Sequence, residues 1–141
     1  MIIVDTSGVL AALDGGERHH KASLGAMRGR SPRLMSPLIL AELDYLLAAR
    51  AGPRAQMALL KDVAEGVYRL EPFTVEDLDE ARDILEQYRD LKLGLADASV
   101  VVLARRYGVH DLLTLDERHF RAVRGPGGRP FRILPADAPV P

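Results

Sequence analysis

Short apolar runs alternate along this chain with longer segments in which apolar residues recur at helical spacing. The apolar runs predict strands at residues 2–5, 33–36, 66–73, 112–115 and 129–134. The intervening segments predict helices at about 9–13, 17–27, 37–50, 53–64, 74–88 and 94–107. Strands that alternate with helices are typical of a parallel sheet covered on both faces. The sequence therefore predicts an α/β domain, a three-layer α/β/α sandwich around a mainly parallel sheet.

The length of 141 residues fits one domain, which we expect to span residues 1–134. Residues 135–141 are rich in proline and are predicted to form a flexible C-terminal tail. No stretch has the pattern of a targeting peptide, and no apolar run approaches the length of a membrane span. These features predict a cytoplasmic protein that does not associate with a membrane.

The composition excludes several classes of protein and several kinds of site. The chain has 19 Lys and Arg against 20 Asp and Glu, a formal net charge of −1, which argues against coating nucleic acid by bulk positive charge. Cysteine is absent, which excludes a disulfide scaffold, a thiolate zinc site, an iron–sulfur cluster and a cysteine nucleophile.

Two acidic residues lie directly at the ends of predicted strands. Asp5 ends the first strand, and Asp116 follows the apolar run at 112–115. Ligands of parallel α/β sheets bind at the carboxyl ends of strands, so both positions favour a binding site. Simpler roles are open to both: Asp5 as a helix cap, although Thr6 and Ser7 offer the same function, and Asp116 as a turn residue.

Two further acidic residues lie within apolar helical patterns. Glu42 has Leu38 and Leu46 as helical neighbours, and Asp97 has Val101 one turn further along its helix. A carboxylate on an apolar face needs a partner or a shifted pKa. The alternatives are a salt bridge from Glu42 to an arginine and a favourable helix-dipole position for Asp97.

Four converging carboxylates repel one another and require a cation. Ligands that are all oxygen select Mg²⁺ or Mn²⁺ rather than zinc, and such ions polarise phosphoryl oxygens and activate water in nucleases and phosphatases. Three hydroxyl residues stand beside the acids and are predicted to orient them: Thr6, Ser7 and Thr114.

The acids and their neighbours resemble a known family. The motifs are Val4-Asp5-Thr6-Ser7, Ala41-Glu42-Leu43, Gly94-Leu95-Ala96-Asp97-Ala98, and Thr114-Leu115-Asp116 with Phe120. Their order and spacing resemble the PIN-domain ribonucleases over about residues 1–134, and within them most closely the VapC toxins of bacterial toxin–antitoxin pairs.

The resemblance implies an endoribonuclease that depends on Mg²⁺ or Mn²⁺, cleaves tRNA or ribosomal RNA with water, and leaves a 5′-phosphate and a 3′-hydroxyl. It implies that the acidic quartet holds the metal and that Thr6 orients the site. The quartet is Asp5, Glu42, Asp97 and Asp116. It also implies a homodimer silenced by a VapB-type antitoxin, whose C-terminal segment covers the active site. The choice between Asp116 and Glu117 as the fourth acid stays open. The choice of Glu42 rather than Asp44 on the same helix rests on the resemblance alone.

The last third of the chain is rich in arginine and predicts a local basic surface for RNA phosphates. The candidates nearest the acids are Arg118, Arg121 and Arg124. Histidines show no metal spacing, so they are predicted to be ordinary surface residues.

Two other functions fit a similar sheet. A phosphatase of the haloacid-dehalogenase type needs a second Asp two residues after its nucleophile, where this chain has Ser7. A phosphotransfer receiver domain needs a Lys after its last catalytic strand, and no Lys lies near Asp116. A non-catalytic domain of the same fold that binds RNA or the antitoxin does not account for a complete acidic quartet.

Overall fold

The computed structural model describes residues 1–140 and has a five-stranded sheet with the order β3-β2-β1-β4-β5. The strands are β1 (Ile2–Val4), β2 (Arg33–Met35), β3 (Arg69–Leu70), β4 (Asp111–Leu113) and β5 (Arg132–Leu134). The helices are α1 (Thr6–Leu13), α2 (His20–Met27), α3 (Pro37–Arg50), α4 (Pro53–Ala64), α5 (Val75–Gln87), α6 (Leu95–Tyr107) and α7 (Glu117–Phe120). Every pair of neighbouring strands is parallel. The predicted α/β fold is therefore confirmed, and its sheet is parallel throughout.

Strand β1 occupies the centre of the sheet. Ile3 pairs with Leu34 on one side and with Leu112 on the other. All three residues of β1 have no exposed surface, as expected for a strand covered by helices on both faces. The chain builds the sheet outward from β1 to β3 and then returns to place β4 on the opposite side of β1. Strand order thus reverses between β1 and β4, the place where open parallel sheets bind ligands.

Helix boundaries follow local capping chemistry. Ser36 accepts a hydrogen bond from the Leu38 amide, with Pro37 in the first helical position of α3. Thr74 and Asp77 form a reciprocal capping box at the start of α5. Helix α6 ends at Tyr107 and is followed by Gly108, whose φ of 65° favours glycine. These short-range signals explain why the predicted helix positions agree closely with the structure.

Helix α1 approaches β4 more closely than an ordinary side chain allows. A Cβ atom at Gly8 would lie 2.6 Å from both the Leu113 carbonyl oxygen and the Leu113 Cγ atom. Glycine removes that clash. The close approach brings the start of α1, directly after Asp5, against the end of β4.

The observed strands are shorter than the predicted ones or shifted from them, and the third strand differs most. The predicted strand at 66–73 contracts to Arg69–Leu70, because Gly66 has a φ of 85° and Pro72 has no amide to donate. Within the predicted tail, the Asp137 carboxylate accepts a hydrogen bond from the Ile133 amide at 2.8 Å and pairs with Arg121.

Among residues 1–140, no helix has both the length and the apolar character that crossing a bilayer requires.

Candidate active site

Asp5 lies at the reversal point of the sheet, directly after β1. It occupies the position that precedes α1, but its side chain makes no capping hydrogen bond to that helix. The residue is only 4% exposed, and a buried carboxylate without an arginine or lysine partner is costly. The simple role of Asp5 as a helix cap is therefore wrong for its side chain.

Hydroxyl groups hold the Asp5 carboxylate in place. The Thr114 hydroxyl donates to Oδ2 of Asp5 at 2.7 Å, and the Ser7 hydroxyl lies 3.3 Å from the same oxygen. Ser7 also accepts a hydrogen bond from the Leu115 amide at 2.9 Å. These contacts join the end of β1, the start of α1 and the end of β4 around one carboxylate. The structure thus brings together three of the residues that the sequence predicts for the site.

Thr6 differs from the other two hydroxyl residues. It is 6% exposed, and its Oγ1 atom has no hydrogen-bond partner within the described chain. Buried hydroxyl groups in proteins usually have a partner. An oxygen left without one beside a buried carboxylate is a free donor or acceptor at the edge of the site.

Asp97 and Asp116 complete the neighbourhood of Asp5. Asp97 lies in the first turn of α6, where its Oδ2 accepts a hydrogen bond from the Gly94 amide at 2.9 Å. Asp116 caps α7 through the His119 amide, as its simpler interpretation predicts, and its Oδ2 lies 2.7 Å from Nδ1 of His119. Both acids are half-buried, so their carboxylates are accessible at the end of the sheet.

His119 has a contact that its prediction as an ordinary surface histidine leaves out. Its ring is half-buried, and Nδ1 lies 2.7 Å from Oδ2 of Asp116. The signal was available: Asp116 and His119 are three residues apart, and a helix beginning at Glu117 places both at its first turn.

Glu42 is exposed rather than buried on an apolar face. The buried stripe of α3 consists of Ile39, Leu43 and Leu47, and Glu42 lies beside that stripe, facing outward. No salt bridge holds Glu42 within residues 1–140. Asp44, the other acid of this helix, instead accepts a hydrogen bond from Gln56 at 2.7 Å.

The carboxylates influence one another's protonation. Burial raises the pKa of Asp5 from 3.8 to about 6, and repulsion from Asp97 and Asp116 adds to the rise against the Thr114 hydrogen bond. Burial also raises the pKa of Asp97, while the Gly94 amide and His119 oppose that rise. Repulsion from Asp116 and Glu42 contributes to the higher pKa of Asp97. All four predicted acids therefore belong to one electrostatic neighbourhood.

The donors suit a hard divalent cation by type. They are carboxylate and hydroxyl oxygens, with the partnerless Thr6 hydroxyl among them. Across residues 1–140, no three Asp, Glu or His side chains are gathered closely enough to hold an ion as they stand. Binding therefore requires at least one carboxylate to turn inward, and the exposed or half-buried acids have the freedom to do so.

The predicted RNA-binding arginines divide into two kinds. Arg121 pairs with Glu117 at 2.5 Å and with Asp137 at 2.7 Å, so its role as a free phosphate ligand is not supported. Its guanidinium instead ties α7 to the chain after β5. Arg118 and Arg124 are exposed, and neither forms a salt bridge within the described chain.

A groove of about 710 Å³ lies between α1, α3 and α4. Its walls are mostly apolar, with Ser7 and Leu115 at one end, which connects it to the hydrogen bonds around Asp5. We call this feature the α1–α4 groove. Its lining includes Leu10, Leu13, Leu47, Ala55, Ala58 and Leu59, with Asp14, Glu17, Arg50 and Asp62 as charged members.

Comparison with known proteins agrees with this architecture. Residues 2–126 match the sequence profile of the PIN domain family. The chain is 41% identical to Ribonuclease VapC26 of Mycobacterium tuberculosis over 135 residues, which cover 95% of this chain and 100% of that protein.

Two solved structures share the fold. VapC20 of Mycobacterium tuberculosis, a sarcin–ricin loop cleaving toxin, has a TM-score of 0.76 and 26% identity, covering 82% of this chain and 90% of that chain. VapBC2 of Rickettsia felis, bound to a promoter DNA fragment, has a TM-score of 0.68 and 14% identity, covering 94% of this chain and 98% of that chain.

Proposed function

Because the chain belongs to the PIN-domain family and is a VapC-type toxin ribonuclease, we propose that four acids form its catalytic site and that its cleavage of RNA depends on Mg²⁺ or Mn²⁺. The acids are Asp5, Glu42, Asp97 and Asp116. The observation that carries this proposal is the buried Asp5 carboxylate, which lies without a basic partner among repelling acids at the sheet's reversal point. A cation would relieve that repulsion.

Each residue has a distinct part in the proposed site. Thr114 and Ser7 fix the Asp5 carboxylate, and the Gly94 amide fixes Asp97. His119 is a positioning residue that orients Asp116. Glu42 faces solvent, and we assign it to the side of the site from which RNA would enter.

A bound Mg²⁺ or Mn²⁺ supplies two kinds of chemistry here: it polarises a phosphoryl oxygen of RNA and lowers the pKa of water. Asp5, Asp97 and Asp116 would hold it, with Glu42 at the open side. The hydroxyl groups of Ser7 and Thr114 keep the Asp5 carboxylate oriented, and the Thr6 hydroxyl is free to join them when the ion binds. Hydrolysis would leave a 5′-phosphate on one product and a 3′-hydroxyl on the other.

The substrate we propose is structured cellular RNA, either tRNA or ribosomal RNA, whose cleavage inhibits translation and growth in the cytoplasm. Because VapC20 is a sarcin–ricin loop cleaving toxin and shares 26% identity with this chain, the sarcin–ricin loop is the first RNA to test. For the RNA phosphates we propose Arg118 and Arg124, which are exposed and form no salt bridge within residues 1–140.

A cleavage assay tests the catalytic proposal. The purified protein is incubated with ribosomal RNA or tRNA in Mg²⁺ or Mn²⁺, with EDTA as the metal-free arm. Asp5→Asn, Glu42→Gln and Asp97→Asn are each expected to lower the cleavage rate at least about 100-fold. Asp44→Asn is the matched control for Glu42→Gln, because Asp44 lies on the same helix and bonds Gln56.

The same assay assigns the fourth acid. Asp116→Asn is expected to abolish cleavage, whereas Glu117→Gln is expected to retain it, because Glu117 is exposed and paired with Arg121. Full activity in EDTA contradicts the metal proposal. Equal loss in Glu42→Gln and Asp44→Asn contradicts the assignment of Glu42.

The proposed partners are a VapB-type antitoxin and a second copy of this chain. We place the antitoxin's C-terminal segment in the α1–α4 groove, because the groove is mostly apolar and is lined by Ser7, whose hydroxyl contacts the Asp5 carboxylate. Ala58 and Ala64 are both exposed on α4, but only Ala58 lines the groove. Co-expression with the small protein encoded next to this gene should give a complex for Ala64→Glu and a loss of the complex for Ala58→Glu. Equal recovery of both complexes would place the antitoxin elsewhere.

A further inference from the structure

Ser99 is the one polar residue in a buried run of seven along α6. Its side chain has no exposed surface, and the other six residues of the run are apolar: Ala98, Val100, Val101, Val102, Leu103 and Ala104. Serine is a weaker helix former than alanine, and a hydroxyl group in an apolar interior is costly unless it is hydrogen-bonded. The hydroxyl at this position therefore needs an explanation beyond the packing of α6.

A buried pair of hydroxyl groups joins α6 to the junction between β2 and α3. The Ser99 hydroxyl donates to Oγ of Ser36 at 2.7 Å, and Ser36 is also fully buried. Ser36 directly follows β2 and accepts the Leu38 amide as the cap of α3, the helix that carries Glu42. The Ser99 hydroxyl also lies 2.6 Å from the Ala96 carbonyl oxygen, in the first turn of α6. One side chain thus connects the beginning of α6 to the end of β2 and the start of α3.

The two ends of α6 are held differently. Within residues 1–140, the other side-chain hydrogen bonds from α6 to the rest of the protein come from its C-terminal end, from Arg105, Arg106 and Tyr107. At the N-terminal end, the Asp97 carboxylate accepts a hydrogen bond only from the Gly94 amide within the described chain. Apolar contacts are not directional, whereas a hydrogen bond fixes a distance and an angle. The contact of Ser99 with Ser36 is therefore the directional restraint on the end of α6 that carries Asp97.

We propose that Ser99, through its hydrogen bond to Ser36, is a positioning residue for Asp97. The inference rests on the proposed function, because it takes Asp97 as one of the four acids of the site. Asp97 lies two residues before Ser99, so a hydroxyl that holds this part of α6 against the β2–α3 junction also sets the place of the carboxylate. A displacement of roughly 1 Å at a reacting site can cost about 100-fold in rate. The hydroxyl of Ser99 thus acts on the reaction without touching RNA.

Ser99→Ala is the variant that tests this role. Alanine suits the helix, and Ser36 keeps the Leu38 amide as a partner, so the variant is expected to fold. Ser23→Ala is the matched control. Ser23 is also helical, in α2, and has no exposed surface, but its hydroxyl has no hydrogen-bond partner within residues 1–140. Urea unfolding confirms that both variants are folded under the conditions of the exchange and cleavage measurements.

Amide hydrogen exchange in EDTA gives a readout that depends on neither metal nor turnover. The Ala98 amide donates to the Gly94 carbonyl at 3.1 Å and reports the opening of the first turn of α6. In Ser99→Ala this amide should exchange about 10-fold faster, because one hydrogen bond that holds the turn is lost. The amides of residues 102–104 should not change, nor should the α6 amides in Ser23→Ala. A general loss of stability would instead speed exchange along the whole of α6.

Steady-state cleavage of RNA is the second measurement. Ser99→Ala should lower kcat by about 10-fold or more and change KM by less than about twofold, because the hydroxyl places a carboxylate and does not bind RNA. Ser23→Ala should cleave like the natural protein.

The outcomes separate the positioning role from the proposed function. Faster exchange at Ala98 alone, together with a lower kcat, supports the role of Ser99. No change in either measurement, or faster exchange along all of α6, overturns that role and leaves the four acids standing. Full cleavage by Asp97→Asn overturns the assignment of that acid and the role of Ser99 with it. Full activity of the natural protein in EDTA overturns the metal requirement alone.

Discussion

At the scale of single residues, Asp5 combines two demands that oppose each other. Its position after β1 buries it to 4% exposure, and burial raises its pKa to about 6. The proposed reaction needs the same carboxylate ionised to hold a cation. The Thr114 hydroxyl reconciles the two in part, because its hydrogen bond at 2.7 Å stabilises the charged form. The remaining free-energy cost of ionising Asp5 in the folded protein can be measured through the free energy of unfolding.

The stability of the metal-free protein should therefore depend on pH through Asp5. As pH rises from about 4 to about 6, the unfolded carboxyl loses its proton before the folded one, so the free energy of unfolding falls. Relative to Asp5→Asn, the natural protein should lose on the order of 3 kcal/mol across this window and then level off. Urea unfolding in EDTA from pH 4 to 7.5 measures the difference. Parallel curves for the two proteins would contradict the raised pKa.

Side-chain exposure is where the sequence was least informative. Glu42 has leucines at its helical neighbours, yet the buried stripe of α3 runs through Ile39 and Leu43, and Glu42 faces outward. Arg121 belongs to an arginine-rich stretch, yet it is paired with Asp137, sixteen residues further along the chain. Both outcomes depend on how elements pack together, and a helical period alone does not specify which flank of the apolar stripe faces water.

At the scale of elements, the position of α1 depends on a glycine, Gly8. Gly8 allows α1 to contact Leu113 of β4, which sets Ser7 close to Thr114 at 3.1 Å. The geometry of the proposed site thus depends on a packing contact that contains none of the four proposed acids.

Gly8→Ala should destabilise the protein and disturb the site together. A Cβ atom 2.6 Å from backbone would force α1 away from β4, at a cost of about 1–3 kcal/mol. Gly25→Ala is the matched control, because Gly25 is also helical, in α2, and a Cβ there meets nothing within 4 Å. Gly25→Ala should be neutral or stabilising by up to about 1 kcal/mol. Urea unfolding and the cleavage rate test both variants, and equal stability of the two would contradict the close approach.

Most elements were predictable because their signals are local. Ser36-Pro37 and the pair Thr74 and Asp77 mark helix starts through contacts within one turn. Strand β3 and the turn after β5 were not, since the length of an edge strand and the fold of a tail depend on distant partners. Asp137 connects the segment after β5 to the domain through an ion pair with Arg121 and a hydrogen bond from the Ile133 amide. No local sequence pattern predicts the contact with Arg121.

At the scale of the whole molecule, a net charge of −1 conceals a separation of charge. Asp5, Asp97 and Asp116 lie in one electrostatic group around the ends of β1 and β4, and none of them pairs with an arginine or lysine of residues 1–140, whereas Arg118 and Arg124 lie exposed in the segment that follows β4. Most other charges are paired: Asp111 binds both Arg30 and Arg132, and Asp77 binds Arg106. The acids at the sheet edge are therefore the part of the molecule most responsive to an added cation.

Millimolar Mg²⁺ or Mn²⁺ should accordingly raise the melting temperature. At ten times its dissociation constant, an ion that binds only the folded state adds about 1.4 kcal/mol, which corresponds to roughly 3–6 °C for a domain of this size. Asp5→Asn should melt higher than the natural protein without metal, because it removes a buried charge, and should lose the response to metal. Asp79→Asn is the control, since Asp79 lies exposed on α5 and pairs with Arg82. Scanning calorimetry at matched ionic strength measures all three proteins. An equal metal-induced rise in Asp5→Asn would show that the cation binds away from the end of β1 and would remove the electrostatic basis of the proposed site.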